Sequence, residues 1–245
     1  MQAQFGALVS PFSAPQAKSQ QELDDYLDVI AATNPATTVQ RVEEFSSKYP
    51  KSELLGFAFQ YQMLAYQGLN DLNGVLRAGR RALELQPGNV NTLLTLASAI
   101  PDGTKGRGDE VELLKQADDY ARQSLHGIAT MQIPRQISLQ EWATMQADMV
   151  AQAHEALGHI ATERGDLPRA ITELELAAYG SATPNGRQFF RLGVAYSLAG
   201  EKEPAEKALH RAADLGPELI RRRALDALKP LSPKGLIAPG KQSDR

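Results

Sequence analysis

The 245-residue sequence contains no cysteine. Disulfides, thiolate metal sites and cysteine nucleophiles are thereby excluded, while the compartment stays open because cytosolic and exported proteins can both lack this residue. No apolar run approaches the ~18 residues needed to span a bilayer. Charge of one sign is also scarce, for the net value is only -3, too small to suggest a nucleic-acid partner. The balance is uneven: residues 1–185 carry a net -8 and residues 186–245 a net +5. The first stretch lacks charge altogether, with none before Lys18 and only a brief apolar run from Phe5 to Val9. That is no intact signal peptide. It fits the start of an exported, periplasmic chain, with a cytoplasmic location as the alternative.

What is present is self-similarity. Leu157-Gly158 with Ala161, Ala170 and Ala177 recurs 35 residues later as Leu192-Gly193 with Tyr196, Ala205 and Ala212. Small residues at fixed helical offsets let two helices approach closely, and a period in the mid-thirties is the length of one helix-turn-helix unit. The expected organisation is a flexible segment over 1–18, one helical repeat domain over 19–229 and a disordered tail over 230–245.

Within the repeat domain, Ser19 with Glu22 has capping-box spacing and opens a helix to about Ala32; Asn34-Pro35 breaks it, and Val39, Val42 and Phe45 mark a second that ends before Tyr49-Pro50. Phe59, Met63 and Tyr66 mark one face of the next helix, and Val75, Gly79 and Ala82 the matching face of its partner. A helix from about Val90 is expected to stop at Pro101-Asp102-Gly103, with Pro101 to Gly108 as an inserted loop. Ala117 and Ser124 belong to the helix that follows. A second surplus precedes the next unit, with a loop at Pro134. Ser138 and Glu141 then form another capping box, opening a helix of about 25 residues, 139–163, whose first turns overhang their neighbours and carry Trp142, Met145 and Met149 on one side. A short closing helix, Glu218 to Leu228, is expected to cover the last repeat with Leu219, Ile220, Leu225 and Leu228, leaving Arg221, Arg222 and Arg223 in water.

These residues resemble the tetratricopeptide repeat (TPR), whose unit has a large residue, Leu-Gly and Tyr in helix A, then Ala, an apolar residue and Ala in helix B, with Pro at the end. Phe189, Leu192, Gly193, Tyr196, Ala205, Leu209, Ala212 and Pro217 occupy all eight signature positions. His154, Leu157, Gly158, Ala161, Ala170, Leu174 and Ala177 fill seven. The unit from Gly56 keeps Phe59, Tyr66, Ala82 and Pro87. The resemblance implies an all-α, right-handed superhelical solenoid of antiparallel helix pairs, about four to five hairpins plus a C-terminal capping helix, in a bacterial, non-catalytic scaffold that binds a peptide or partner helix in its concave groove. The aromatics fall mostly on repeat core positions, not on a base-stacking platform.

By register, the groove residues are Phe57, Gln60, Leu64, Gln67, Asn91, Leu94, Gln152, Glu155, His159, Arg187, Phe190, Arg191 and Val194. Arg187 and Arg191 lie four apart on one helix face, and guanidinium pairs suit a carboxylate; they read either as solvated surface residues or as an anion site, so the expected partner is a protein or peptide, with an acidic segment under the second reading. Gln60, Leu64 and Thr95 stand where a full carboxylate clamp of the family has Lys and Asn. His154 and His159 are five apart rather than the four a helical zinc pair needs, and no cofactor, metal or catalytic residue is expected. An enzymatic pocket near the 101–108 insertion and helix 139–163, or self-association through that helix, are the alternatives.

Overall fold

In the computed structural model, residues 16–133 and 137–231 are described. The expected loop at Pro134 and most of the 1–18 and 230–245 segments lie outside them. Every regular element among the described residues is a helix. Two compact units are present, one reaching to Thr92 and the other beginning at Leu93.

The first unit holds α1 (Gln20–Ala31), α2 (Pro35–Lys48), α3 (Leu55–Gly68) and α4 (Leu72–Leu85). Local chemistry sets the starts. Ser19 accepts a hydrogen bond from the Glu22 amide, but the Glu22 carboxylate reaches the Lys18 amide instead of closing the box on Ser19. Asn34 caps α2 through the Ala36 and Thr37 amides, with Pro35 as the first helical residue, where its missing N–H is no loss. Val42, Phe45, Leu55, Ala58 and Phe59 form the core between these helices.

The second unit contains nearly all of α5 (Val90–Gly103), then α6 (Glu110–Thr130), α7 (Leu139–Glu163), α8 (Leu167–Gly180), α9 (Gly186–Leu198), α10 (Lys202–Leu215) and α11 (Glu218–Leu228). Consecutive helices pack as pairs, and the small residues of the repeat explain how. A Cβ on Gly158 would come within 2.5 Å of the Leu174 side chain, and one on Gly193 within 2.6 Å of Leu209. Both leucines are fully buried, each worth about 1.5–3 kcal/mol of transfer free energy. A second equivalence links repeats in different units: Arg81 lies over the Phe59 ring at 3.9 Å and Arg211 over the Phe189 ring at 5.5 Å. In the intervening repeat His154 replaces the aromatic ring, and its Nδ1 meets Glu173 at 2.7 Å.

Three expectations change. Helix α5 continues through Pro101 to Gly103, so the inserted loop begins only at Thr104; proline forfeits its own backbone bond, and the helix survives it by just two residues. The overhang of α7 does not stand alone, because α6 is itself 21 residues long. Trp142 is 6% exposed, and Gln146 donates to the Ile128 carbonyl near the end of α6 at 3.2 Å. On α11 the buried stripe is Ala224 and Leu228, with Ile220 half-buried, while Leu219 and Leu225 stay 51% and 48% exposed. The helix turns its small residue inward because the end of α10 lies close.

A polar clasp joins α6, α7 and α8. Asp118 accepts from Arg122 and from Arg169, each at 2.6 Å, with Arg164 at 3.6 Å. Burial alone would raise the Asp118 carboxyl, but the Arg122 and Arg169 hydrogen bonds outweigh it and hold the group below its usual range.

Candidate functional site

Helix α9 places the two arginines of interest. Its start is fixed by a reciprocal capping box: Asn185 accepts from the Arg187 and Gln188 amides, and Gln188 accepts from the Asn185 amide. Arg187 is thus held in the first turn, and Arg191 follows one turn later. That N-x-x-Q spacing was readable in the sequence beside the two serine boxes.

Both guanidinium groups converge on Glu155 of α7, which is 4% exposed. Arg187 Nε lies 2.8 Å from Glu155 Oε1 and its Nη2 donates to Oε2 at 3.3 Å; Arg191 Nε is 3.3 Å from the same Oε1. Two cations around one buried carboxylate offset its desolvation. Glu155 Oε1 accepts no aligned hydrogen bond among the described residues, so its contacts there are ionic, and the two guanidinium groups together carry more N–H donors than one carboxylate can accept. Arg191 uses one of these on Asp102, whose Oδ1 accepts from its Nη2 at 2.9 Å.

The arginines border a pocket of about 470 Å³ lined by Asp102, His159, Thr162, Glu163, Arg187, Phe190, Arg191, Val194, Ile220 and Arg223. Phe190, Val194 and Ile220 are half-buried, so one wall is apolar and the other charged, a composition suited to an amphipathic ligand. Three cationic side chains face three carboxylates here when Glu155 is included. His159 adds no charge near neutrality: burial lowers its imidazole to about 3, with the Arg191 and Arg187 charges adding to the effect. Its Nδ1 is buried without a hydrogen-bond partner among the described residues, 3.5 Å from Asp102, and its Nε2 is 3.6 Å from Glu163.

The structure brings together Glu155, His159, Arg187, Phe190, Arg191 and Val194. Gln152 is half-buried one turn before Glu155 on α7. Leu94 is a correction: at 2% exposure it belongs to the core of the second unit and cannot line an open groove. In the first unit Phe57 and Gln60 are half-buried on α3 and Leu64 and Gln67 exposed, with Asn91 exposed at the start of α5; Gln60 accepts from Asn89 at 3.4 Å. Asp102, Glu163, Ile220 and Arg223 were not in the register-based set. Repeat spacing carries no signal for Asp102, which lies 89 residues from its arginine partner, and Arg223, exposed as expected, also borders the pocket.

A base with a pKa of about 3 abstracts protons poorly near pH 7, and the pocket's hydroxyl, Thr162, donates to the Gly158 carbonyl at 2.8 Å. His154 and His159 go to different partners, and no group of three His, Asp or Glu among the described residues is arranged to hold a metal ion. No described helix is long and apolar enough to cross a membrane.

No family model matches the chain, and no curated protein matches it in sequence. Solved structures do. The chain is similar to TTC0263, a thermophilic TPR protein of Thermus thermophilus, with 16% identity over 84% of this chain and 98% of that one and a TM-score of 0.59. It is similar to PilW, a type IV pilus biogenesis factor, with 16% identity over 86% of this chain and 87% of that one and a TM-score of 0.58. The fold is that of TPR proteins, an all-α helical repeat built from stacked helix pairs.

Proposed function

We propose that the chain is a non-catalytic protein-interaction scaffold, and that the pocket bordered by α7, α9 and α11 receives an acidic, partly apolar peptide segment. The observation that supports this most directly is the pairing of Arg187 and Arg191 on buried Glu155. The carboxylate fixes two flexible side chains before any ligand arrives, which lowers the ordering cost of binding, and leaves spare donors at the pocket. A ligand carboxylate or peptide carbonyl meets those donors while an aliphatic or aromatic side chain rests on Phe190, Val194 and Ile220. Arg223, exposed on α11, supplies a further cation at the rim. The face of α3 that carries Phe57, Gln60, Leu64 and Gln67 is a separate candidate contact within the first unit. The TPR-like fold supports a protein partner in general, because stacked helix pairs offer more surface than their own core can bury.

The test is selection from a phage-displayed random-peptide library on the wild-type chain and on an Arg187→Ala/Arg191→Ala variant of unchanged helical content. Enrichment of peptides rich in Asp or Glu beside Leu, Ile or Phe, lost on the variant, is expected. Equal enrichment on both proteins would remove the pocket as the site. Self-association through the start of α7 is less favoured, since the ring of Trp142 is covered within the fold.

A further inference from the structure

Asp102 occupies the last turn of α5, and 57% of its side chain is exposed. A carboxylate so placed is ordinarily surrounded by water alone. Here its Oδ1 lies 2.9 Å from Arg191 Nη2 and 3.5 Å from His159 Nδ1, at the edge of the pocket. We infer that Asp102 is an internal competitor: its carboxylate takes the Arg191 donor that an incoming acidic segment requires, and ligand binding displaces it. The inference rests on the pocket's being an acid-binding site.

Two further observations separate Asp102 from the other carboxylate on the same arginines. Glu155 is buried and held by both guanidinium groups, so releasing it would strand a charge away from water. Asp102 can return to solvent at little cost, because exposed ion pairs contribute weakly. The backbone beneath it lacks one helical bond, although Pro101 itself is buried and Ile100 and Thr104 are fully so. Pro101 stands inside the final turn and has no N–H to give to the preceding turn, and the helix ends at Gly103. Glu155 therefore orients the arginines, whereas Asp102 yields its place. The consequence is a threshold on affinity: only a segment with more than a single weak acid gains by evicting a carboxylate already present.

Fluorescence anisotropy with a fluorescein-labelled alternating Leu-Glu peptide bearing a free C-terminal carboxylate tests this on the full chain. Asp102→Ala should tighten binding roughly two- to five-fold at low ionic strength, the range of an exposed ion pair. The gain should vanish in an Arg191→Ala background, and Asp119→Ala, which removes the same charge from an exposed position on α6, should give none. Unchanged affinity in Asp102→Ala, with binding still lost in Arg187→Ala/Arg191→Ala, would overturn the competitor and leave the acid-binding pocket standing. A gain that persists without Arg191, or that Asp119→Ala reproduces, would reduce the effect to bulk charge and also overturn it. No binding by either wild type or Asp102→Ala would remove both readings.

Discussion

Replacing Gly186 with alanine is the sharpest available test of how α9 and α10 are joined. Gly186 opens α9, and a Cβ there would lie 2.3 Å from Gly216 Cα, 2.4 Å from Gly216 N and 2.8 Å from Ala212 O. All three are backbone atoms, so no side chain can rotate aside. Restoring an ordinary carbon contact of about 3.6 Å requires the helix ends to part by roughly 1.3 Å. That shift opens the layer in which Phe189, Leu192, Leu209 and Ala212 are buried together. Overpacking of this kind costs about 1–3 kcal/mol, and the better helix propensity of alanine returns at most about 1 kcal/mol. We therefore expect a net loss of about 1–2 kcal/mol, or a Tm lower by roughly 2–8 °C for a chain of this size. Gly193→Ala should cost less, because the two nearest atoms belong to the Leu209 side chain, although the Leu209 amide at 3.1 Å limits its retreat. Gly180→Ala is the internal control: nothing lies within 4 Å and its φ is not in the left-handed region, so it should be neutral or stabilising by up to about 1 kcal/mol. Urea unfolding followed by far-UV circular dichroism and by the fluorescence of Trp142 reads all three. Wild-type stability in Gly186→Ala, or an order in which Gly180→Ala is the most damaging, would refute the close approach as the constraint.

Other consequences are measurable by the same assay. His159 is lowered to about 3 in the folded chain against about 6.5 when unfolded, so the unfolded state binds the proton first and stability falls as pH drops below about 6.5; the wild type should lose about 2.5 kcal/mol more than His159→Gln between pH 7 and 4.5, and parallel pH profiles would contradict this. Asp118 acts at lower pH: its depressed carboxyl contributes stability above the unfolded value of about 3.9 and loses it as pH falls through the folded value. Asp118→Asn should cost about 1.5–3 kcal/mol at pH 7, with the difference narrowing in acid; a gap unchanged by pH would count against an ionic clasp. Arg211→Met, which keeps the aliphatic stem over Phe189 and removes the cation, should cost about 0.5–1 kcal/mol, and high salt abolishing none of that difference would argue for packing alone.

The helices were legible where local chemistry decides them. Ser138 and Glu141 mark the start of α7, and the uninterrupted run to Glu163 gives its length, because capping and proline placement act over a few residues. The Gly158–Leu174 and Gly193–Leu209 contacts follow from the repeat spacing for the same reason. Faces that depend on a neighbour's proximity were harder to read. On α11 four apolar residues were expected to cover the last repeat, yet only Leu228 is buried and Ile220 half-buried, while Ala224 takes the inward position and Leu219 and Leu225 stay exposed. The pocket was half visible: Glu155, His159, Arg187 and Arg191 share helix faces that periodicity reveals, whereas Asp102 and Arg223 arrive from elements whose approach is a tertiary property.

The long pairing of α6 with α7 has a consequence for how this chain can vary. The final turns of α6 meet the first turns of α7, with Gln146 bonded to the Ile128 carbonyl and Trp142 covered. A turn deleted from one helix alone would expose the indole of Trp142 and break the Gln146 bond to the Ile128 carbonyl. Length changes in this region are consequently tolerated only in matched increments on both arms, so homologous chains should show the two segments growing or shrinking together, as a ladder loses both ends of a rung.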